Sequence, residues 1–283
     1  METFGEIVRL WLADVVGRLD LSPSTKICYR RVAKRLAAWG DEVGRTCVDL
    51  APFVVLRSRT GLSPRTMRLE LRIASAAFHW GQKHGSIATT ALMWTPRVKV
   101  DREMFWCNHR TPSVDEVTAV IAAMPDDDWR LAVKLLARTG ARAGEVVALR
   151  VRDFDDSGPR LAFGAVQGAS KTGMRWFPLD ADSARELRGR TGTGSLLDFG
   201  ASVAQIQGLQ RRLRAAAAVA GVPAFTPHGL RRMVVTRLLR AGVNPGTAAT
   251  LTGHTVEVML RYYQQVSDED RRAAVVLAGL GRV

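Results

Sequence analysis

Cysteine is scarce in this 283-residue chain: there are three, Cys28, Cys47 and Cys107, far apart and without a Cys-x-x-Cys pair. That spacing argues against a disulfide framework or a structural zinc site and points to a reducing cytoplasm. Long apolar runs are missing as well. No stretch reaches the roughly 20 residues that span a bilayer, and the short run Ala215–Ala220 follows Arg211, Arg212 and Arg214. The opening Met1–Glu6 lacks the positive segment that begins a secretory signal. Acidic residues are in deficit, 27 against 41 Lys and Arg, and no acidic cluster suggests two-metal nuclease chemistry. Neither a metal nor any other cofactor is expected.

What the chain has in excess is positive charge. The formal net charge is +14, and most of the surplus is arginine, whose planar fork suits bidentate phosphate contacts. The excess is spread along the chain, with 18 Lys and Arg against 10 Asp and Glu up to residue 110, and 23 against 17 beyond it. Such a balance favours a polyanion, because neutralised phosphates release counterions whatever the base sequence. An apolar fraction of 47% supplies material for real cores and excludes a disordered chain.

Residues 1–95 read as a helical unit. Phe4, Val8, Trp11 and Leu12 recur at helical spacing, then Val15, Val16 and Leu19. Ser22-Pro23 and Ser63-Pro64 each open a helix as N-cap and first helical residue, the first running to Gly40 and the second towards Gly81. Between them, Val48–Arg57 is expected to be helical. Lys26, Arg30, Arg31, Lys34 and Arg35 decorate the first of these helices, and Arg65, Arg68 and Arg72 the second. Taken alone each row is a solvated charged surface; coupled to a second half that handles DNA, the rows become the rim of a clamp against the backbone. Periodicity lapses from Met93 to Arg110, so residues 96–110 form the expected linker, itself basic.

Residues 111–283 form the second expected domain. Ser113 and the acidic Asp115-Glu116 open a helix, Trp129–Arg138 is a second, and Ala143–Leu149 a short third. Leu161–Phe163 and Arg175–Leu179 flank the turn Ser170-Lys171-Thr172-Gly173, which suggests a hairpin or small sheet. Helical patterns return at Val203–Val219, Leu230–Leu239, Pro245–Leu251, Val256–Tyr263 and Asp268–Leu277. The fold class is therefore mainly α, with a small β-sheet in the second domain.

Several short segments carry chemistry. Thr139-Gly140-Ala141-Arg142 is followed by Ser170-Lys171-Thr172-Gly173, Pro227-His228-Gly229-Leu230-Arg231-Arg232, Leu251-Thr252-Gly253-His254 and Arg261-Tyr262-Tyr263. These motifs resemble those of the tyrosine recombinase, or phage-type integrase, family, closely over the C-terminal 170 or so residues and more loosely before them. The resemblance maps the family's first catalytic arginine to Arg142 and its hairpin lysine to Lys171. Its His-x-x-Arg pair falls on His228 and Arg231, its second histidine on His254, and its nucleophile, nine residues later, on Tyr263. Ala141 departs from the pattern, standing where a larger apolar residue is usual.

The expected chemistry follows from these groups. Attack on a DNA phosphodiester builds negative charge on the non-bridging oxygens, which Arg142, Arg231 and His254 would stabilise. Lys171 is the expected acid for the departing 5′-oxygen, and His228 the base for the phenol. A phosphotyrosine conserves the phosphodiester's energy, so rejoining needs no ATP. Glu145 is expected to orient Arg142, and Asp153 the start of the strand region. Arg232 is expected, with Lys26, Arg30, Arg31, Lys34, Arg65, Arg68 and Arg72, to contact DNA.

The resemblance further implies a two-domain clamp on double-stranded DNA, assembling as a dimer and tetramer on paired sites and acting through 3′-phosphotyrosine linkages and a Holliday junction. It also implies that the helix from Asp268 docks on a neighbouring protomer; packing on its own domain is the alternative. The brevity of the N-terminal region argues against an additional arm-binding domain. A cytoplasmic, nucleoid-associated enzyme is expected, with no role at a membrane. Integration, transposition, cassette capture and dimer resolution remain equally open readings. A type IB topoisomerase, or a DNA-binding accessory protein on the same fold, are the alternatives; plasmid relaxation and binding without covalent adduct would mark them.

Overall fold

The computed structural model describes residues 3–18, 21–99, 110–165, 173–199 and 203–263, together with Arg272, Val275 and Val276. By internal contacts the chain divides into two units, Met1–Phe105 and Trp106–Val283. No helix among the described residues is long and apolar enough to cross a membrane.

The first unit contains α1 (Phe4–Gly17), α2 (Pro23–Gly40), β1 (Cys47–Asp49), α3 (Ala51–Ser58), α4 (Pro64–Lys83) and β2 (Leu92–Trp94). Its helices begin where capping chemistry says they should. Ser22 Oγ accepts from the Thr25 amide and Ser63 Oγ from the Thr66 amide, each with proline at the first helical position. Such a cap contributes about 1 kcal/mol. Phe4, Val8, Trp11 and Val15 bury one face of α1 against α2 and α4, joined by Leu36, Phe53, Leu71 and Phe78.

One expectation changes here. The helix predicted over Val48–Arg57 begins only at Ala51, because Cys47–Asp49 pairs in parallel with Leu92–Trp94 as a two-stranded ribbon. Only Val48 of β1 is buried, so three residues of apolar-polar alternation are too few to show against the helical run that follows. β2 likewise lies just before the expected linker.

One charge is also interior. Glu70 is fully buried, and its carboxylate accepts from Arg35 Nη2 at 2.6 Å and from Arg57 Nε and Nη2 at 2.8 and 3.0 Å. Burial opposes ionisation, but these two guanidiniums prevail and hold Glu70 below the usual carboxylate range. Arg35, which the sequence pattern puts in the surface row, is therefore turned partly inward.

The second unit contains α5 (Val114–Ala122), α6 (Asp127–Thr139), α7 (Ala143–Val147), a 3₁₀ turn (Val151–Asp153), β3 (Phe154–Asp155), β4 (Arg160–Phe163), β5 (Arg175–Pro178), α8 (Ala181–Arg188), α9 (Val203–Val219), α10 (Pro227–Arg240), α11 (Pro245–Thr252) and α12 (Val256–Tyr263). The three strands form one antiparallel sheet in the order β3-β4-β5, with Phe163 opposite Arg175. The core gathers Leu135, Leu136, Val146, Leu149, Leu161, Phe163, Leu209, Leu213 and Leu230. Ala141 is wholly buried within it. Against this core α10 packs on α6, while α11 lies against both α12 and β5.

Candidate active site

Two helix ends create the site. α6 stops where Gly140 turns left-handed (φ 64°), and α11 stops where Gly253 does the same (φ 68°). Helix C-termini present unpaired carbonyls and the negative end of the helix dipole. Here those carbonyls face a cation. Arg231, on the inner side of α10 and only 3% exposed, donates from Nη1 to Gly140 O (2.6 Å) and Thr252 O, and from Nη2 to Gly253 O (3.2 Å). An interior guanidinium is costly unless so satisfied.

Arg231 Nε also donates to His254 Nε2 at 3.1 Å. The ring's other nitrogen, Nδ1, lies 2.8 Å from Thr252 Oγ1. That hydroxyl spends its own proton on Ala248 O (2.7 Å), so it accepts from Nδ1–H. In this arrangement His254 carries its proton on Nδ1, and Nε2 accepts from Arg231. Burial, then the charges of Arg231, Arg142, His228 and Arg175, push its pKa down to about 3, so it is neutral near pH 7.

Arg142 caps α7 two residues beyond Gly140. Its backbone N–H donates to Glu145 Oε2 (2.8 Å) and its Nη1 to Oε1 (2.9 Å), while Nη2 reaches Gly253 O at 2.7 Å. Glu145 is therefore the orienting group anticipated for Arg142. Asp153 likewise has its expected local task, accepting from the Arg150 amide at 2.8 Å to cap the turn before β3.

A third guanidinium belongs to none of the sequence motifs. Arg175, at the start of β5, donates from Nη1 and Nη2 to the two oxygens of Glu145 at 3.0 and 2.8 Å, and from Nε to Leu251 O at 3.1 Å. Burial alone would raise the Glu145 pKa; the Arg175 and Arg142 hydrogen bonds overcome it and hold the group near about 2. Its signal in the sequence is a lone arginine in an otherwise apolar strand. Among the described residues, Arg142, Arg175 and Arg231 against the carboxylate of Glu145 leave a net positive, largely buried cluster, where the attraction for an anion is stronger than in water.

The remaining expected residues are placed less fully. His228 lies exposed in the first turn of α10, near enough for its charge to act on His254. Lys171 lies outside the described residues. Tyr263 is the last residue of α12, and its side chain, like that of Tyr262, is outside the described residues too. The expected terminal helix from Asp268 falls there as well, apart from Arg272, Val275 and Val276. In the first unit Arg30, Arg31, Lys34, Arg65, Arg68 and Arg72 are exposed and Lys26 half-buried, while Arg68 Nε donates to Val98 O at 2.7 Å. Arg232 is half-buried beside Arg231 on α10.

Comparison with known proteins bears on this arrangement. Residues 200–270 match the model of the phage integrase family. The chain is 26% identical over 268 residues to the tyrosine recombinase XerC of Xanthomonas campestris pv. campestris (strain B100), covering 88% of this chain and 80% of that one. It is 31% identical over 151 residues to XerC of Mycobacterium leprae (strain TN), about half of each chain. Among solved structures, the Tn1549 transposon integrase in complex with transposon right end DNA superposes with a TM-score of 0.71 at 18% identity, covering 96% of this chain and 99% of that one. A lambda integrase dimer bound to a COC′ core site gives 0.72 at 18% identity, covering 92% and 95%. The family model matches the C-terminal part of the chain, the XerC relatives are 26–31% identical to it, and the solved structures share its fold: the chain is similar to the tyrosine recombinase, or phage-type integrase, family.

Proposed function

We propose that the chain cuts and rejoins double-stranded DNA at specific sites through a 3′-phosphotyrosine intermediate. One observation carries this reading. Arg142, at the cap of α7, and Arg231, on α10, both donate to the single carbonyl oxygen of Gly253. Two guanidiniums within reach of one oxygen can likewise share the non-bridging oxygens of one phosphate, where charge develops as the phosphorane forms.

The reaction then proceeds as a balanced exchange. The Tyr263 phenol oxygen attacks phosphorus, His228 takes the phenol proton, and the P–O5′ bond breaks. Lys171 gives a proton to the departing 5′-oxygen. In the return step a 5′-hydroxyl attacks the phosphotyrosine, Tyr263 recovers its proton, and the strand is rejoined without an external energy source. His254, neutral and seated on Thr252, steadies Arg231 throughout.

DNA is the partner bound by the Tn1549 integrase and by the lambda integrase, the latter as a dimer on its core site. The present chain takes the same partner, through the basic rows of α2 and α4 and through Arg232, and acts as a dimer and tetramer on paired sites in the cytoplasm, at the nucleoid. The domain division is 1–95, 96–110 and 111–283, the first holding DNA and the last performing the chemistry. The test is covalent capture: wild-type protein is incubated with fragmented host DNA, and protein-linked ends are recovered and sequenced. Tyr263→Phe should bind DNA but trap none, whereas Tyr262→Phe should still trap it, because neighbouring helical residues point about 100° apart. Adducts formed by Tyr263→Phe and lost in Tyr262→Phe would reassign the nucleophile; no adduct from wild type would refute the activity.

A further inference from the structure

We infer that Arg175 is a positioning residue of this reaction, holding Glu145 in the orientation that presents Arg142 to the phosphate. The inference rests on the recombinase reading above and adds to it a residue that never touches the scissile group.

The geometry is a fork on a fork. Both Glu145 oxygens are shared: Oε1 accepts from Arg142 Nη1 and Arg175 Nη1, and Oε2 from the Arg142 backbone amide and Arg175 Nη2. Held by Arg142 alone, this carboxylate could rotate and carry the Arg142 side chain with it. The parallel pair of bonds from Arg175 removes that freedom, and a lysine, as a point charge, cannot reproduce it. Arg175 also balances the Glu145 charge, so the positive charge of Arg142 reaches an incoming phosphate undiminished.

Arg175 is itself held on three sides. Its side chain is 9% exposed, its guanidinium lies 5.1 Å over the Phe163 ring, and its Nε donates to Leu251 O. It passes so close to Gly253 that a Cβ at that position would sit 2.7 Å from Nη1. One side chain therefore links the Arg142 segment, the corner leading to His254, and the strand that follows Lys171 in sequence. A residue serving only to stabilise the fold would not need to meet all three.

The experiment uses the full chain and a nicked duplex bearing the site recovered by covalent capture. Single-turnover adduct formation and duplex affinity are measured for wild type, Arg175→Lys, Glu145→Gln and the double variant, with circular dichroism to check folding. Arg175→Lys is expected to slow adduct formation by about tenfold to a hundredfold while affinity stays within about twofold. In the Glu145→Gln background the same change should cost less than about twofold, because its partner is already gone. Wild-type rates in Arg175→Lys, a loss of affinity equal to the loss of rate, or an undiminished penalty in the double variant would each overturn the inference. Should Arg175→Lys not fold, Glu145→Asp, which shortens the same pairing by one methylene, takes its place: slower adduct formation at unchanged affinity supports the inference, and a wild-type rate overturns it. Absence of any wild-type adduct is a separate outcome that refutes the recombinase reading and this inference together.

Discussion

Arg142 and Arg231 are brought to a common point by Gly253, whose carbonyl oxygen accepts from the first at 2.7 Å and from the second at 3.2 Å. The convergence is a product of helix ends: Gly140 and Gly253 stop α6 and α11 so that their last carbonyls surround Arg231. Cations are thereby stacked beside one another without mutual expulsion, since each is neutralised in part by carbonyl dipoles or by Glu145.

Arg231→Lys should damage both chemistry and fold. A lysine keeps the charge but cannot serve Gly140 O, Thr252 O, Gly253 O and His254 together. Loss of one well-placed transition-state donor costs about a hundredfold or more in rate, and carbonyls left unpaired in the interior cost about 1–3 kcal/mol. Single-turnover cleavage and chemical denaturation measure the two effects; unchanged cleavage would remove Arg231 from the reaction.

Gly253→Ala should be destabilising beyond ordinary loop substitutions. The residue sits at φ 68°, where a side chain is strained by about 1–2 kcal/mol, and the new methyl would meet Arg175 at 2.7 Å. We expect a lower melting temperature and slower adduct formation, since the shared carbonyl must move. A melting temperature equal to wild type would show that the corner yields easily.

Stability should fall as the solution is acidified in two stages. His254 has a folded pKa depressed to about 3, so an unfolded chain binds a proton near pH 6.5 that the folded one refuses. Its contribution is complete above pH 6.5 and is lost from there towards pH 3, at most about 1.4 kcal/mol per pH unit, the value of one proton. Glu145, held near about 2, adds a second loss from about pH 4.5 downward. Denaturation curves at pH 7.5, 6 and 5 should show the first loss, and His254→Gln should flatten it; an undiminished slope in that variant would assign it elsewhere.

The row on α2 and α4 should govern the salt dependence of binding. Replacing exposed Arg30 or Arg72 by alanine is expected to reduce the slope of log affinity against log salt by about one each, uniformly across DNA sequences. Electrophoretic shift assays at several salt concentrations measure this directly. A slope that does not change would mean that these arginines face solvent rather than phosphate.

Local chemistry was legible in the chain before any coordinates. Ser22, Ser63 and Ser113 announce helix starts by capping, and Gly140 announces a stop, because these effects depend on a few neighbouring residues. The set Arg142, Lys171, His228, Arg231, His254 and Tyr263 could be picked out by its resemblance to the recombinase motifs, and Glu145, three residues after Arg142, as the group that orients it. The ribbon of Cys47–Asp49 with Leu92–Trp94 could not, since strand pairing across more than forty residues leaves little trace in a three-residue segment.

Tertiary structure alone decided what those groups do to one another. It turned His254 into an acceptor, since only the folded chain sets Thr252 Oγ1 against Nδ1 and Arg231 against Nε2. It also chose Arg175 from many arginines, for nothing in sequence separates a strand arginine facing Glu145 from one facing water. Residue types and spacing determined the chemical kit; orientation, protonation and partnership came from packing, because those depend on distances between segments that the linear chain does not contain.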